Sequence, residues 1–389
     1  YNQGKNIFQG KMKVGMLVHN PPFQGGIVQY SVLLVNSMKD KVDFELVGFD
    51  KLYPPFFYKG KLPKENRSGI QFYKESLNFV TWYNPFSWIR AYFKLSKCDI
   101  IHLHWVSPLL APLQYTILKL NRIFYRKKVV LTCHNIEPHE STIVDRFFTK
   151  MVFSKVNHFI VHAEQNRKRL IEDYGINVDN VHTVPHGTFG YFTKWKKESN
   201  KELREEFGYS KDDKIILFFG YIREYKGLRY LLRALPGILK EESNAKLIIA
   251  GELWQNWKTY EKEVYDKIKV IPNYIIDKDV HKFFDLADIV VLPYYNTEQT
   301  ISGPLLVALA FNKPIVISDV GGVSEFLKDG ESALIVQGGN VHSLELSVIK
   351  LLKDKKLQNK LISGAKKLDN TFDWDNVAEK TFEVYKNIK

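Results

Sequence analysis

Arg223 and Lys226 stand three residues apart in the run Phe218-Phe219-Gly220-Tyr221-Ile222-Arg223-Glu224-Tyr225-Lys226-Gly227, where an apolar strand gives way to a loop and then a helix. Cations at the carboxyl end of a strand, with helix amides close by, suit a diphosphate. Arginine offers a two-pronged fork to phosphate oxygens and lysine a point charge. On an ordinary surface loop the same pair would simply be solvated. A second group lies downstream. Ser302-Gly303-Pro304 opens an apolar helix, and Gly321-Gly322-Val323-Ser324-Glu325 follows a strand. Ser302 and the free amides beside it can receive a phosphate or a hydroxyl, and paired glycines admit a ligand close to the backbone. Gly25-Gly26 precedes the first helix but lacks the full G-x-G-x-x-G pattern, and no P-loop is present. His134, in Thr132-Cys133-His134-Asn135, follows a strand and could hydrogen-bond a substrate oxygen; Glu137, His139 and Glu140 come next. His102 and His104 alternate on a strand with no third ligand in view, so they read as core. Asp277-x-Asp279 and Asp373-x-Asp375 match a loose metal-binding pattern, but read as a turn and a helix start. No metal is expected.

The elements that must position these residues alternate. Apolar runs at 12–18, 43–49, 99–104, 128–134, 157–162 and 181–185 predict strands, with helices at 27–39 and 164–174. After a charged stretch at 194–213 the pattern repeats. Strands are predicted at 214–219, 246–250, 267–271, 289–293, 314–318 and 332–336. Helices are predicted at 227–239, 280–287, 305–311, 341–353, 357–367 and 374–388. Strands separated by helices predict parallel α/β sheets. The fold class is therefore α/β, with two Rossmann-like domains facing a cleft. Their extents are 12–190 and 214–370, joined by a connection at 191–213 and closed by a helix at 371–389. Ligands of such sheets lie beyond the carboxyl ends of the strands.

A length of 389 residues fits two domains. Hydrophobic residues make up 45% and charged residues 25%, which excludes a disordered or fibrous chain. No apolar run approaches the roughly 20 residues a membrane span needs. Residues 1–11 read as a tail rather than a signal segment. Cys98 and Cys133 are too few for a disulfide framework and read as reduced core thiols, which points to the cytoplasm. The net charge is +13. Residues 1–190 carry 25 Lys and Arg against 14 Asp and Glu, and residues 191–389 carry 31 against 29. A basic first half suggests an anionic partner there: a membrane surface, a phosphate-bearing acceptor or nucleic acid.

Taken in order, these segments resemble the family-4 retaining glycosyltransferases of GT-B architecture. The resemblance runs over nearly the whole chain. It includes Gly25-Gly26, Thr132-Cys133-His134-Asn135, Val184-Pro185-His186-Gly187 and the Gly220 to Gly227 segment. It continues through Ala287-Asp288-Ile289-Val290-Val291-Leu292-Pro293, Lys313-Pro314-Ile315-Val316, Gly321 to Glu325 and Phe372-Asp373-Trp374-Asp375. It implies transfer of a sugar from a nucleotide-diphosphate sugar to an acceptor hydroxyl, with retained configuration and neither metal nor other cofactor. By that likeness Arg223 and Lys226 hold the diphosphate and stabilise the leaving group. His134 contacts the transferred sugar. Gly25 and Gly26 lie near the phosphates or the acceptor. Asn273, Tyr274 and Ile275 meet the base, and Gly220, Ser302, Gly303, Pro304 and Glu325 complete the donor site. The last helix crosses back to the first domain. The chain departs from the family at its Glu-x7-Glu pair, where Gln299 and Val307 stand. Ile301-Ser302-Gly303 resembles the Ser-Gly turn of a subgroup, and Glu298 lies one residue away.

Two segments, 82–97 and 109–128, mix aromatic or aliphatic residues with Arg90, Lys94, Lys97, Arg126, Lys127 and Lys128. Such segments can lie on anionic lipid at the inner face of the cell membrane, or simply cover the first sheet. With the resemblance they imply a glycan or lipid-linked acceptor, in surface polysaccharide or glycolipid synthesis. A sugar-nucleotide epimerase and a catalytically silent nucleotide-sugar-binding subunit are the alternatives. Nucleic acid is not expected, because no recognition motif accompanies the charge.

Overall fold

The computed structural model describes residues 11–54, 69–136, 142–254, 266–295 and 301–388. Its first domain is a seven-stranded sheet built from β1 (Met12–Val18), β2 (Val42–Lys51), β3 (Leu77–Thr81), β4 (Ile100–Trp105), β5 (Lys128–Cys133), β6 (His158–Val161) and β7 (Val181–Thr183). The order is β3-β2-β1-β4-β5-β6-β7. The second domain holds six strands: β8 (Lys214–Phe219), β9 (Ala245–Ala250), β10 (Ile268–Ile271), β11 (Ile289–Leu292), β12 (Ile315–Asp319) and β13 (Leu334–Gln337). Their order is β10-β9-β8-β11-β12-β13. Every pairing is parallel.

Both faces of each sheet are covered, which is why most of the strands are rich in apolar residues. Val14, Met16 and Val18 of β1 enter one core while Leu17 enters the other. Ile215 and Leu217 of β8 likewise face away from Ile216 and Phe218. In each sheet the strand order reverses once, between β1 and β4 and between β8 and β11. Those two switch points open crevices at the strands' carboxyl ends. The histidines and glycines after β1 and β4, and the cations after β8, therefore sit where ligands bind.

The α/β class with two Rossmann-like domains stands as predicted. Three elements do not follow the sequence reading. β3 pairs with β2 at the sheet edge, and its Leu77 and Asn78 are exposed, so it lacks a buried strand's apolar run. The segment Ile143–Phe153 is a helix stapled by a capping box between Thr142 and Asp145. The stretch 191–213 is more than a connection. It contains the helix Asn200–Phe207, which is capped by Ser199 and Glu202 and drives Leu203 into the second core. Its Arg204 guanidinium donates to Asp288, Ser210 and Asp213 while nearly buried. Cys98 and Cys133 are both buried thiols.

The final helix, Trp374–Ile388, leaves the second domain and completes the first. Val377, Ala378, Val384, Tyr385 and Ile388 fill the core beneath the helix Gly26–Ser37. Trp374 is its anchor. The indole donates to the Thr188 carbonyl oxygen at 2.7 Å and lies flat against Gly187, where a Cβ would fall 2.4 Å from the ring. Trp374→Ala is expected to destabilise the chain by about 3–5 kcal/mol, the range for truncating a large packed aromatic. Urea denaturation followed by tryptophan fluorescence checks it.

Candidate active site

Lys226 ends the single helical turn Glu224–Lys226 that follows β8. It is only 4% exposed. Its ammonium lies 4.2 Å from the Tyr294 ring centre, and no carboxylate pairs with it among the described residues. Burial first, then the neighbouring Arg223 charge, pulls its pKa down to about 7. Arg223 stacks its guanidinium 4.0 Å from the Trp254 ring centre, and its Nε is buried without a partner among the described residues. Two neighbouring cations with no paired anion among the described residues form a site that favours an anionic ligand.

The surrounding contacts join the other segments to this pair. The Tyr294 hydroxyl and Ser302 Oγ are 2.6 Å apart, and Ser302 caps the helix Gly303–Ala310 by accepting from the Leu305 amide. A Cβ on Gly220 would touch the Pro304 ring at 2.9 Å. Gly303 and, from the first domain, Gly26 lie against the same Phe189 ring, each 3.6 Å away from it by its ideal Cβ. The Gly25 backbone hydrogen-bonds the Tyr274 hydroxyl. The residues after β8 and β11 and the first loop of the other domain thus meet across one cleft. Asn273 is exposed beside Tyr274, and Ile275 is partly buried there.

Two carboxylates of the second domain bridge that cleft. Asp277 is buried at the start of the helix Asp277–Leu286. It accepts from Gln29 Nε2 at 3.3 Å and from the Tyr191 hydroxyl. Burial raises its pKa to about 6, against the opposing pull of those donors. Asp277 is thus not the cap of its helix, whose N-cap residue is Ile276. Glu325 accepts from the amides of Glu164 and Gln165 at 2.7 and 2.8 Å. That caps the helix Glu164–Glu172, whose own N-cap residue, Ala163, has no side-chain acceptor. Glu325 therefore faces the other domain's backbone.

His134 directly follows β5 in the first domain. Both its ring nitrogens have protein partners, His104 at 3.1 Å and His162 at 3.4 Å. Burial and neighbouring histidines hold its pKa well below the usual value, so the ring is neutral. Glu137, His139, Glu140, Glu298 and Gln299 lie outside the described residues. Val307 is buried in the second core.

Two family models match the chain: Glycosyltransferase Family 4 over residues 24–188 and Glycosyl transferases group 1 over residues 199–368. The chain belongs to the glycosyltransferases. An uncharacterized glycosyltransferase of Methanocaldococcus jannaschii is 25% identical over an alignment covering 96% of this chain and 98% of that one. A lipopolysaccharide 1,2-N-acetylglucosaminetransferase of Salmonella typhimurium is 28% identical over 53% of this chain and 56% of its own. The fold is shared with the Anabaena protein HepE, solved in complex with UDP, at a TM-score of 0.73 and 15% identity over 97% and 100% of the two chains.

The sequence reading of this glycosyltransferase passed over a repeated signal. His19 follows β1, His104 lies near the end of β4, and His134 and His162 follow β5 and β6 directly. His186 lies three residues beyond β7. Five of the chain's 11 histidines thus stand at successive strand ends of one sheet. All but His19 pack around Tyr30, whose ring centre is 4.7 Å from His134, 4.9 Å from His186, 5.3 Å from His162 and 5.8 Å from His104. Gln29 and Trp254 also escaped notice, because a polar or aromatic residue on a helix or loop carries no sign of its distant partner.

Proposed function

We propose that the protein moves a hexose from a nucleotide-diphosphate sugar to a hydroxyl of a glycan or lipid-linked acceptor, retaining configuration and needing no metal. The setting would be cell-surface polysaccharide or glycolipid synthesis. The observation that carries this reading is the buried Lys226 beside Arg223, with no carboxylate paired to it among the described residues. In the reaction the bond from the anomeric carbon to the diphosphate oxygen breaks. The acceptor oxygen bonds to that carbon on the same face, and its proton passes to the departing diphosphate. Negative charge grows on the leaving oxygens, where two fixed cations away from water stabilise it most. Ser302, Gly303 and Gly220 bound the phosphate side. Asn273, Tyr274 and Ile275 lie where a base would rest, and Gly25 and Gly26 close the cleft from the acceptor domain. A neutral His134 would face the sugar through its ring edge.

The HepE complex supports UDP as a first probe. Thermal melts with UDP, GDP and ADP are the test. One of them should raise the midpoint by several degrees through mass action. No shift with any of the three would remove the reading. The apolar Val307, at a position where the family usually carries a carboxylate, favours a second reading: a subunit that binds the nucleotide sugar without turnover. Binding without product formation would establish that one.

The first domain would rest on an anionic membrane. The adjoining helices Pro85–Leu95 and Ala111–Ile123 contain no acidic residue and carry Arg90, Lys94, Lys119 and Arg122. Phe86 is 81% exposed, and Ile123, Phe124 and Tyr125 are exposed beside Phe93. Apolar side chains ringed by cations suit insertion at an anionic headgroup layer. No helix among the described residues is long and apolar enough to cross a membrane. Co-sedimentation is expected with phosphatidylglycerol vesicles at low salt and not with phosphatidylcholine alone. Phe86→Glu combined with Ile123→Glu should release the protein.

A further inference from the structure

The histidine chain in the first domain has a free end. The Val184 carbonyl oxygen can only accept, so His162, 3.0 Å away through Nδ1, carries its hydrogen there. A neutral ring then leaves Nε2 of His162 as an acceptor, and His134 donates to it from Nδ1. Nε2 of His134 is in turn an acceptor, filled by His104 Nδ1–H. The neutral state of all three rings follows from burial, which lowers each pKa. One carbonyl thus sets three tautomers, and the lone pair on His104 Nε2 is left over. That atom is buried with no partner among the described residues, and so are both ring nitrogens of His19.

His19 and His104 flank the switch point between β1 and β4, where this sheet opens its crevice. Their ring centres are 6.3 Å apart and nearly perpendicular. The Gln114 side chain donates to the His104 carbonyl at 2.8 Å and holds that strand end in place. The set is not arranged for a metal: no three His, Cys, Asp or Glu donors converge among the described residues. A bare lone pair repels a phosphate or carboxylate and attracts an O–H donor.

We propose that His19 and His104 form a subsite that reads one hydroxyl of a sugar, with His104 Nε2 accepting the hydrogen bond. The hydroxyl is not the reacting one, because this ring orients a proton without taking it. The proposal rests on the transferase reading, and the sugar belongs either to the donor or to the acceptor.

The test is NMR of the whole chain labelled with ¹⁵N-histidine, run beside thermal melts with UDP-glucose, UDP-N-acetylglucosamine and GDP-mannose. His104, His134 and His162 should all carry hydrogen on Nδ1. The His104 Nε2 resonance should move with the nucleotide sugar that stabilises the protein and stay still with its nucleoside diphosphate alone, which assigns the hydroxyl to the donor. Movement only when free glucose or glycerol is added to the diphosphate complex assigns it to the acceptor. Turnover should fall about 100-fold in His104→Leu and within tenfold in His104→Gln, whose amide oxygen still accepts. A hydrogen on His104 Nε2 overturns the proposal. So does an Nε2 that no mixture moves although a nucleotide sugar raises the midpoint; the buried atom then holds a trapped water only. If no nucleotide or nucleotide sugar stabilises the chain, the transferase reading fails first and the subsite falls with it.

Discussion

Lys226→Met is expected to lower turnover of the nucleotide sugar by about 10³-fold while leaving the free protein more stable than the parent. Both effects have one cause. The ammonium is buried with no carboxylate among the described residues to neutralise it, which disfavours its charged form. Methionine fills the same volume without a charge, so the free chain gains, and the diphosphate loses its closest cation. The pH dependence gives the sign. In the unfolded chain the lysine titrates near 10.5 and in the folded protein near 7. Between those values the unfolded state binds more protons, so this residue's contribution makes stability rise with pH. Below about 7 both states are protonated and the buried charge weakens the fold by its full amount. The advantage of Lys226→Met should therefore be largest at pH 6 and fade toward pH 10. Donor binding runs the opposite way. Above pH 7 the anion must bind together with a proton, so the apparent affinity should fall by up to about tenfold per pH unit. Thermal melts and donor titrations across pH 6–9 read both. Unchanged turnover in Lys226→Met would remove the assignment.

Gly227→Ala should abolish donor turnover and destabilise the second domain by about 3 kcal/mol or more. Gly227 has φ +70° at the start of the helix Leu228–Glu241, a conformation that favours glycine. Its backbone also passes so close to the end of β11 that a Cβ would lie 1.7 Å from the Pro293 carbonyl oxygen. The methyl group can be accommodated only if the loop after β8 lifts away from β11, and that loop carries Arg223 and Lys226. Gly208 is the control. It has φ +75° at the end of the helix Asn200–Phe207, with nothing within 4 Å of an added Cβ. Gly208→Ala should cost about 1 kcal/mol for conformation alone and leave turnover intact. Urea denaturation and donor turnover, measured on both variants, separate strain from displacement. Equal behaviour of the two would show that the contact with Pro293 does not position the loop.

Strands buried on both faces carry their period openly, so β1, β4, β5, β8, β9, β11 and β12 could be placed from hydrophobic runs alone. The edge strand β3 could not, because half of it meets water. The helix Asn200–Phe207 was hidden for a related reason. Its polar face dominates a short element, and only Leu203 and, partly, Phe207 meet a core.

The sequence by itself determined two parallel α/β units and the cation pair after β8, since both depend on residues close together in the chain. Tertiary structure alone decided that Lys226 is deprived of water, that Asp277 meets Gln29 from 248 residues away, and that Glu325 caps a helix of the other domain. It also decided that one carbonyl at Val184 orders the hydrogens of three histidines. Burial and hydrogen bonding between distant segments are properties of the packed chain, and no local pattern of side chains encodes which segment will supply the partner.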